Sequence, residues 1–221
     1  LAMAATACRA QDSATGHRAA LDISELSDGV ASLTPHLDIL EDPEGQLTLA
    51  DVRSAAVAHR FTRHPTNTPT ISHGYTRSAF WLRLHVHNAS AQPLKRLLEL
   101  GYAALTSVDI FQPGANGAYS AIATGSAHPF ASRPYANHNF VFPLQLAPRS
   151  SQVIYLRLQS SSSVLIPARL WVPEEFAQQE RNDYVAQAWY FGMATAMVLF
   201  NLVLYIALRD SIYLLYVAFV L

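Results

Sequence analysis

The sequence predicts a mainly β protein, with an antiparallel jelly-roll or β-sandwich domain followed by a transmembrane α-helix. Short segments of alternating apolar and polar residues, separated by Pro, Gly, Asn and Ser, fill the chain up to about residue 172. Beyond them, residues 184–208 contain no Asp, Glu, Lys or Arg. The order of these two patterns places the sandwich first and the membrane helix second.

The strand pattern is clearest in residues 78–88, where side chains alternate with the period of two that is typical of a strand with one buried face. The predicted buried face is Phe80, Leu82, Leu84 and Val86, and the opposite face is Trp81, Arg83, His85 and His87. Further strands are predicted at residues 36–40, 96–100, 106–112, 118–123, 138–146, 152–159 and 164–171, with a turn at 113–117.

Two helices are predicted outside the strands. Thr48 followed by Asp51 forms a pair similar to a capping box and begins a helix over residues 49–61. Pro173, with Glu174 and Glu175 after it, has the composition of a helical first turn. Because no breaker follows before Leu208, one helix is expected to leave the sandwich and enter the membrane directly.

The segment 184–208 is long enough to cross a membrane, since a helix of this length spans about 37 Å and a hydrocarbon core measures about 30 Å. Trp189 and Tyr190 near one end and Tyr205 near the other resemble an aromatic belt. Residues 174–208 are therefore predicted to be a linker plus a first transmembrane helix. Residues 211–221 are predicted to begin a second, truncated one, in a fragment of a longer membrane protein. The alternative, a buried helix of a soluble protein, is disfavoured because only Arg209 and Asp210 divide the two apolar runs.

Charge and cysteine content exclude several classes of protein. Charged residues make up 14% of the chain, against about 25% in an average soluble domain. The formal net charge of -1 argues against a nucleic-acid partner, because proteins that bind nucleic acids normally carry a surplus of basic residues. The single cysteine, Cys8, excludes an intrachain disulfide and a multi-cysteine zinc site.

The N-terminus resembles the end of a secretory signal peptide. Residues 5–7 and 8–10 both fit a cleavage site with small residues, so residues 1–10 are predicted to be a signal peptide remnant. The alternatives are lipidation of Cys8 and an ordinary alanine-rich helix. Residues 11–34 are predicted to be a flexible segment, and residues 35–173 an extracytoplasmic sandwich.

The order of several motifs resembles the 7TMR-DISM family of bacterial receptors, in particular its second type of extracellular domain followed by the start of the seven-transmembrane region. The resemblance covers about residues 35 to 221. Its motifs include residues 40–43, 47–52, 80–84 with Asn88, 108–111, 128–130, 133–134, 142–144, 155–158, 167–171, 200–202, 208–210 and 213–216.

The resemblance implies a receptor of the bacterial inner membrane with residues 11–183 in the periplasm. The sandwich would resemble a carbohydrate-binding module and sense a small-molecule or carbohydrate ligand. The other expected partners are the lipid bilayer, the remaining membrane helices, a cytoplasmic module of the same chain (diguanylate cyclase or histidine kinase) and a second copy of the chain. This fragment itself is then not an enzyme.

Six residues are candidates for ligand contact. Trp81, Arg83 and His85 share a strand face, while Arg133, Tyr135 and His138 lie in a region between loop and strand, where binding sites are common. Aromatic rings stack on sugars, and guanidinium groups bind carboxylates or phosphates. In the alternative interpretation Trp81 tucks under a loop, and Arg83 and Arg157 pair with Asp109 or Glu99.

His85 and His87 also raise the alternative of a membrane-anchored metal enzyme, with His138 as a third ligand. No acidic residue follows His87 before Glu99, so neither a metal nor any other cofactor is predicted. No Gly-x-Ser-x-Gly motif and no glycine-rich phosphate loop occurs, so no catalytic residue is predicted either. A non-catalytic module that binds carbohydrate or protein is the remaining alternative.

Overall fold

The computed structural model describes residues 20–24, 26, 29–63, 70–114 and 116–220. The predicted signal peptide remnant, Cys8 and residues 11–19 lie outside the described residues. The described strands are β1 Leu21–Asp22, β2 Val30–Ser32, β3 Leu37–Asp42, β4 Thr62–Arg63, β5 Ile71–Tyr75, β6 Ala79–Asn88, β7 Leu94–Leu100, β8 Ser107–Pro113, β9 Tyr119–Thr124, β10 Phe140–Leu146, β11 Ser150–Gln159, β12 Ser163–Ile166 and β13 Ala168–Trp171. The described α-helices are α1 Leu49–Arg53, α2 Ala55–Ala58, α3 Pro173–Leu208 and α4 Ser211–Val220, with 3-10 turns at Thr34–His36 and Phe130–Ser132.

Two sheets face each other and form the sandwich. The first has the order β4-β3-β6-β11-β8-β9, with β1 also beside β6, and the second has the order β10-β7-β13-β2. A separate small sheet consists of β12 and β5. The ladders of the described residues are antiparallel except for the parallel pair β1 and β6. This arrangement confirms the predicted antiparallel β-sandwich.

The main hydrophobic core lies between the two sheets, because alternate side chains of each strand point inward. On β6 the buried face is the predicted one, and its four apolar side chains are at most 1% exposed. On β10 the apolar residues at alternate positions, Phe140, Phe142, Leu144 and Leu146, are buried to the same degree. The period-two pattern therefore identified the core faces of both sheets.

Some predicted elements differ from the observed ones. The predicted strand at 164–171 is wrong as a single element, because Pro167 separates β12 from β13 and these belong to different sheets. The predicted helix after Thr48 consists of α1 and α2, divided at Ser54, whose backbone is extended. The predicted capping box is confirmed, since the Asp51 amide donates to the Thr48 side chain while the Asp51 carboxylate accepts from the Thr48 amide.

The predicted flexible segment at 11–34 contains ordered structure in its described part. β1 pairs with β6, and β2 pairs with β13 at the edge of the second sheet. Ile23 is fully buried, and its carbonyl accepts from Nε and Nη2 of Arg96 at 3.2 and 2.8 Å. The sandwich therefore begins before residue 35.

The long helix α3 leaves the sandwich as the sequence predicts. It has Pro173 in its first turn and ends at Arg209, whose left-handed backbone (φ 51°) lets its N–H donate to the Tyr205 carbonyl at 2.8 Å. In the described part of the chain, α3 is the one helix long and apolar enough to cross a membrane. Large apolar side chains along 184–208 are exposed, Trp189 by 68%, as expected of a surface that faces lipid or other membrane helices. α4 follows and packs against α3.

Candidate functional site at the junction of the sandwich and the long helix

The first turns of α3 are fixed to the outer face of the second sheet. Phe176 is the buried residue of α3, and it packs in a cluster with Leu97, Val141 and Trp171, called here the junction cluster. The Phe176 ring meets the Trp171 ring edge-on with centroids 5.7 Å apart. It meets the Tyr135 ring in the same way at 5.5 Å. Strands β7, β10 and β13 therefore all hold the start of α3 through one aromatic side chain.

One turn further along α3, Glu180 binds the loop that precedes β10. The Tyr135 hydroxyl donates to Glu180 Oε2 at 3.0 Å, and Asn137 Nδ2 donates to Glu180 Oε1 at 2.6 Å. Burial raises the pKa of the Tyr135 phenol, and the hydrogen bond to Glu180 raises it further, so the phenol is protonated at neutral pH. Both oxygens of this carboxylate therefore tie α3 to the loop.

Glu99 of β7 links the same loop to the strand that leads into α3. Trp171 Nε1 donates to Glu99 Oε2, and Asn139 Nδ2 donates to Glu99 Oε1, both at 2.7 Å. The backbone N–H of Asn139 in turn donates to Asn137 Oδ1 at 2.8 Å. Hydrogen bonds thus connect β7, β13, the loop and α3 without interruption.

A tight backbone approach beside the first turn of α3 completes the junction. The Val172 amide donates to the Gly29 carbonyl at 2.8 Å, and Gly29 has a positive φ of +70°. A Cβ at position 29 would lie 2.3 Å from Cγ of Glu175, so Gly29 packs directly on the first turn of α3.

Of the predicted ligand residues in the loop, Arg133 and Tyr135 belong to this junction. Arg133 Nη1 donates to the carbonyls of Asn137 (2.5 Å) and His138 (2.8 Å), and its guanidinium lies over the rings of Phe130 and Phe140. Arg133 therefore holds the loop that presents Tyr135 and Asn137 to α3. The His138 side chain is exposed and lies before β10, not in the strand as predicted.

The predicted residues of β6 lie elsewhere, on the outer face of the first sheet. Trp81 is 1% exposed and stacks on Phe111 at 5.5 Å, in a second cluster that includes Val52 of α1. The structure thus gives Trp81 the packing role that the sequence left as the alternative. His85 lies further along this face and is half-buried.

The two arginines of this face, Arg83 and Arg157, each form an ion pair with an aspartate. Arg83 binds the buried carboxylate of Asp38, with Nη2 3.1 Å from Oδ2, so its predicted pairing with Asp109 or Glu99 is wrong. Arg157 pairs with Asp109 at 3.6 Å, as predicted. Burial raises the pKa of Asp109, and the nearby Arg157 opposes that shift.

No group of three His, Cys, Asp or Glu side chains in the described part of the chain is placed to hold a metal ion. His87 instead shares a hydrogen bond with the Ser151 hydroxyl at 2.9 Å. His85, His87 and His138 therefore do not form the ligand set that the metal-enzyme alternative requires.

Five residues that build the junction were not predicted from the sequence: Glu99, Asn137, Asn139, Phe176 and Glu180. The spacing of Phe176 and Glu180 contained a usable signal, because residues four apart lie on the same helix face. An aromatic and an acid on that face, ahead of an entirely apolar stretch, indicate a face that docks on protein.

A model of the family described as 7TMR-DISM extracellular 2 matches residues 34–172, well over half of the chain. The chain belongs to this family. The 7TMR-DISM domain ends directly before α3, so the junction lies where the family domain meets the candidate membrane helix. The sandwich is therefore the extracytoplasmic sensing domain of a membrane receptor.

The other comparisons add little to the 7TMR-DISM assignment. No curated protein matches the chain. Among solved structures, a Bacillus thuringiensis Cry1Da tryptic core variant is similar with 14% identity and a TM-score of 0.31. That match covers 50% of this chain and 22% of the other. A likeness this distant carries no conclusion about fold or function.

Proposed function

We propose that this chain is the ligand-sensing part of a bacterial seven-transmembrane receptor in the inner membrane, with residues 11–183 in the periplasm. The sandwich passes its ligand state through α3 to the remaining membrane helices. These drive a cytoplasmic output module of the same protein, a diguanylate cyclase or a histidine kinase. A second copy of the chain is the expected oligomeric partner.

The observation that supports this function is the continuity of α3 from the junction to the apolar segment. Phe176 and Glu180 are bound to the sandwich, and the same unbroken helix contains residues 184–208. From Glu180 to Leu208 the helix extends about 42 Å at 1.5 Å per residue. A shift of the loop or of β7 therefore moves the membrane segment as one body.

The test is the basal output of the complete receptor in membranes, measured as cyclic di-GMP synthesis or autophosphorylation according to the module it contains. Phe176→Ala removes the ring that joins α3 to the junction cluster. We expect it to change basal output by about 5-fold or more, since coupling between sites of roughly 1–3 kcal/mol corresponds to 5–150-fold. Gln179→Ala, an exposed position on the same helix, is the matched control and should leave output unchanged.

Phe176→Leu provides a second comparison, because it retains most of the apolar volume and should retain most of the wild-type output. A normal output from Phe176→Ala, in a receptor whose sandwich remains folded at the assay temperature, would contradict transmission through this junction.

A further inference from the structure

A groove of about 1010 Å³ opens at the ends of β7 and β10 that lie away from the junction. Its walls are the first residues of β7, the β8–β9 hairpin, the end of β10 and the start of β11, and Arg53 of α1 contributes one side. Ligand pockets measure about 300–1,000 Å³. The groove is therefore large enough for a sugar-sized molecule and much larger than an inorganic anion needs.

The charge of the groove has one sign. Its described lining includes Arg53 and Lys95 and contains no Asp or Glu. The Arg53 guanidinium lies 4.7 Å from the centroid of the Tyr119 ring, and the Tyr119 hydroxyl donates to the Val153 carbonyl at 3.0 Å. The cation is therefore held in place before any ligand arrives, and the groove favours a negatively charged ligand.

Oriented amides supply the polar contacts that hydroxyl groups need. Gln112 Nε2 donates to the Pro143 carbonyl at 3.3 Å, and Gln152 Nε2 donates to the Gln145 carbonyl at 3.4 Å. Each amide is thus anchored through its nitrogen while its oxygen can accept from a hydroxyl group. Pro93 and Leu94 add apolar surface beside these groups, as a sugar ring with C–H faces requires.

We propose that this groove binds an acid sugar, a hydroxylated carboxylic acid of the size of a uronic acid, and that it is the input site of the receptor. Arg53 and Lys95 supply the positive charge that attracts the carboxylate, and the oxygens of the glutamine amides accept from the hydroxyl groups. The second part of this proposal rests on the proposed function; the binding itself does not.

Strand pairing supplies a route from the groove to the junction. Lys95 of β7 pairs with Gln145 of β10 at the groove, and Glu99 pairs with Val141 at the junction. The distance along β7 from Lys95 to Glu99 is about 13 Å at 3.3 Å per residue. A ligand that contacts Lys95 and Gln145 therefore acts on the two strands that hold the start of α3.

The test is isothermal titration calorimetry of the full chain in lipid nanodiscs with sodium glucuronate and, separately, with glucose. At C6 glucuronate has a carboxylate, whereas glucose has a CH₂OH group. We expect saturable binding of glucuronate and binding of glucose weaker by about 10-fold or more. Charge-assisted hydrogen bonds are the strong ones, so Arg53→Gln and Lys95→Gln should each weaken glucuronate binding by about 10-fold. Arg60→Gln removes an exposed cation outside the groove and should bind as wild type does.

No saturable glucuronate binding up to about 10 mM, which is about ten times a Kd of 1 mM, would overturn the site. An equal loss in Arg60→Gln would also overturn it, because it would indicate a general charge effect. This failure is separable from that of the proposed function. Glucuronate binding as predicted, with normal output from Phe176→Ala, would support the site and reject the transmission route. No glucuronate binding, with altered output from Phe176→Ala, would reject the site and support the transmission route.

Discussion

Replacement of Gly125 by alanine is expected to destabilise the sandwich by about 3–5 kcal/mol, the combined size of backbone strain and overpacking. Gly125 has a φ of +145°, a conformation that only glycine adopts readily. A Cβ there would lie 2.2 Å from the Thr106 carbonyl oxygen and 2.9 Å from Ser107 Cα. These are backbone atoms at the start of β8, so they cannot rotate away as a side-chain end would.

The measurement is thermal unfolding of the full chain in nanodiscs, followed by tryptophan fluorescence. For a chain of this size 1 kcal/mol shifts the Tm by about 2–4 °C, so Gly125→Ala should lower it by roughly 10 °C. Gly74→Ala is the matched control, because a Cβ at Gly74 meets nothing within 4 Å, and its Tm should stay within about 2 °C of wild type. Equal unfolding midpoints for the two variants would contradict the close packing of Gly125 against the backbone at the start of β8.

Replacement of Trp81 by alanine is expected to cost about 3–5 kcal/mol, as for other buried aromatic residues. The ring is buried between the first sheet and α1, in contact with Phe111. Its Nε1 has no hydrogen-bond partner among the described residues, so the ring contributes through packing alone. Trp81→Phe keeps an aromatic ring and loses no hydrogen bond, and it should therefore cost less than half as much.

The same pair of variants distinguishes packing from ligand contact. Both variants should unfold at lower temperatures, Trp81→Ala by roughly 10 °C and Trp81→Phe by roughly 4 °C, given the Tm shift per kcal/mol for this size. A wild-type midpoint for Trp81→Ala would contradict the packing role and return Trp81 to the surface that contacts ligand.

The sequence predicted the sandwich because strand periodicity is a local property. On β6 and β10, the alternating residues that predicted a buried face are the ones that form the core. The start of α3 at Pro173 and the capping box at Thr48 were predictable for the same reason, since a cap involves residues only three apart.

The junction could not be predicted, because it joins residues distant in sequence. Tyr135 and Glu180 are hydrogen-bonded across 45 positions, and Glu99 and Trp171 across 72. Periodicity gives the face on which each residue lies but not its partner. For Trp81 the difficulty was different, since a second layer formed by α1 buries the face of β6 that alternation alone assigns to solvent.

Arg133 and Tyr135 lie in a loop that contacts α3, and the sequence did not predict this contact. The sequence predicted ligand contact in this loop because it contains arginine and aromatic side chains, which suit ligand binding. In the structure Arg133 donates hydrogen bonds to backbone carbonyls of its own loop, and the Tyr135 hydroxyl donates to Glu180 of α3. The loop is thus built to contact the helix, and the cationic groove lies at the other end of β7 and β10.

The most direct test of coupling between the sandwich and α3 is amide hydrogen exchange of residues 176–183 in the full chain in nanodiscs. Glu99→Gln keeps the size of the side chain but cannot accept from both Trp171 and Asn139, so it loosens the junction from the sheet side. We predict exchange about 5-fold faster in these residues, since losing a hydrogen bond of about 1 kcal/mol lowers the cost of local opening. The exposed control Glu44→Gln should show no change. Unchanged exchange in Glu99→Gln would contradict the coupling.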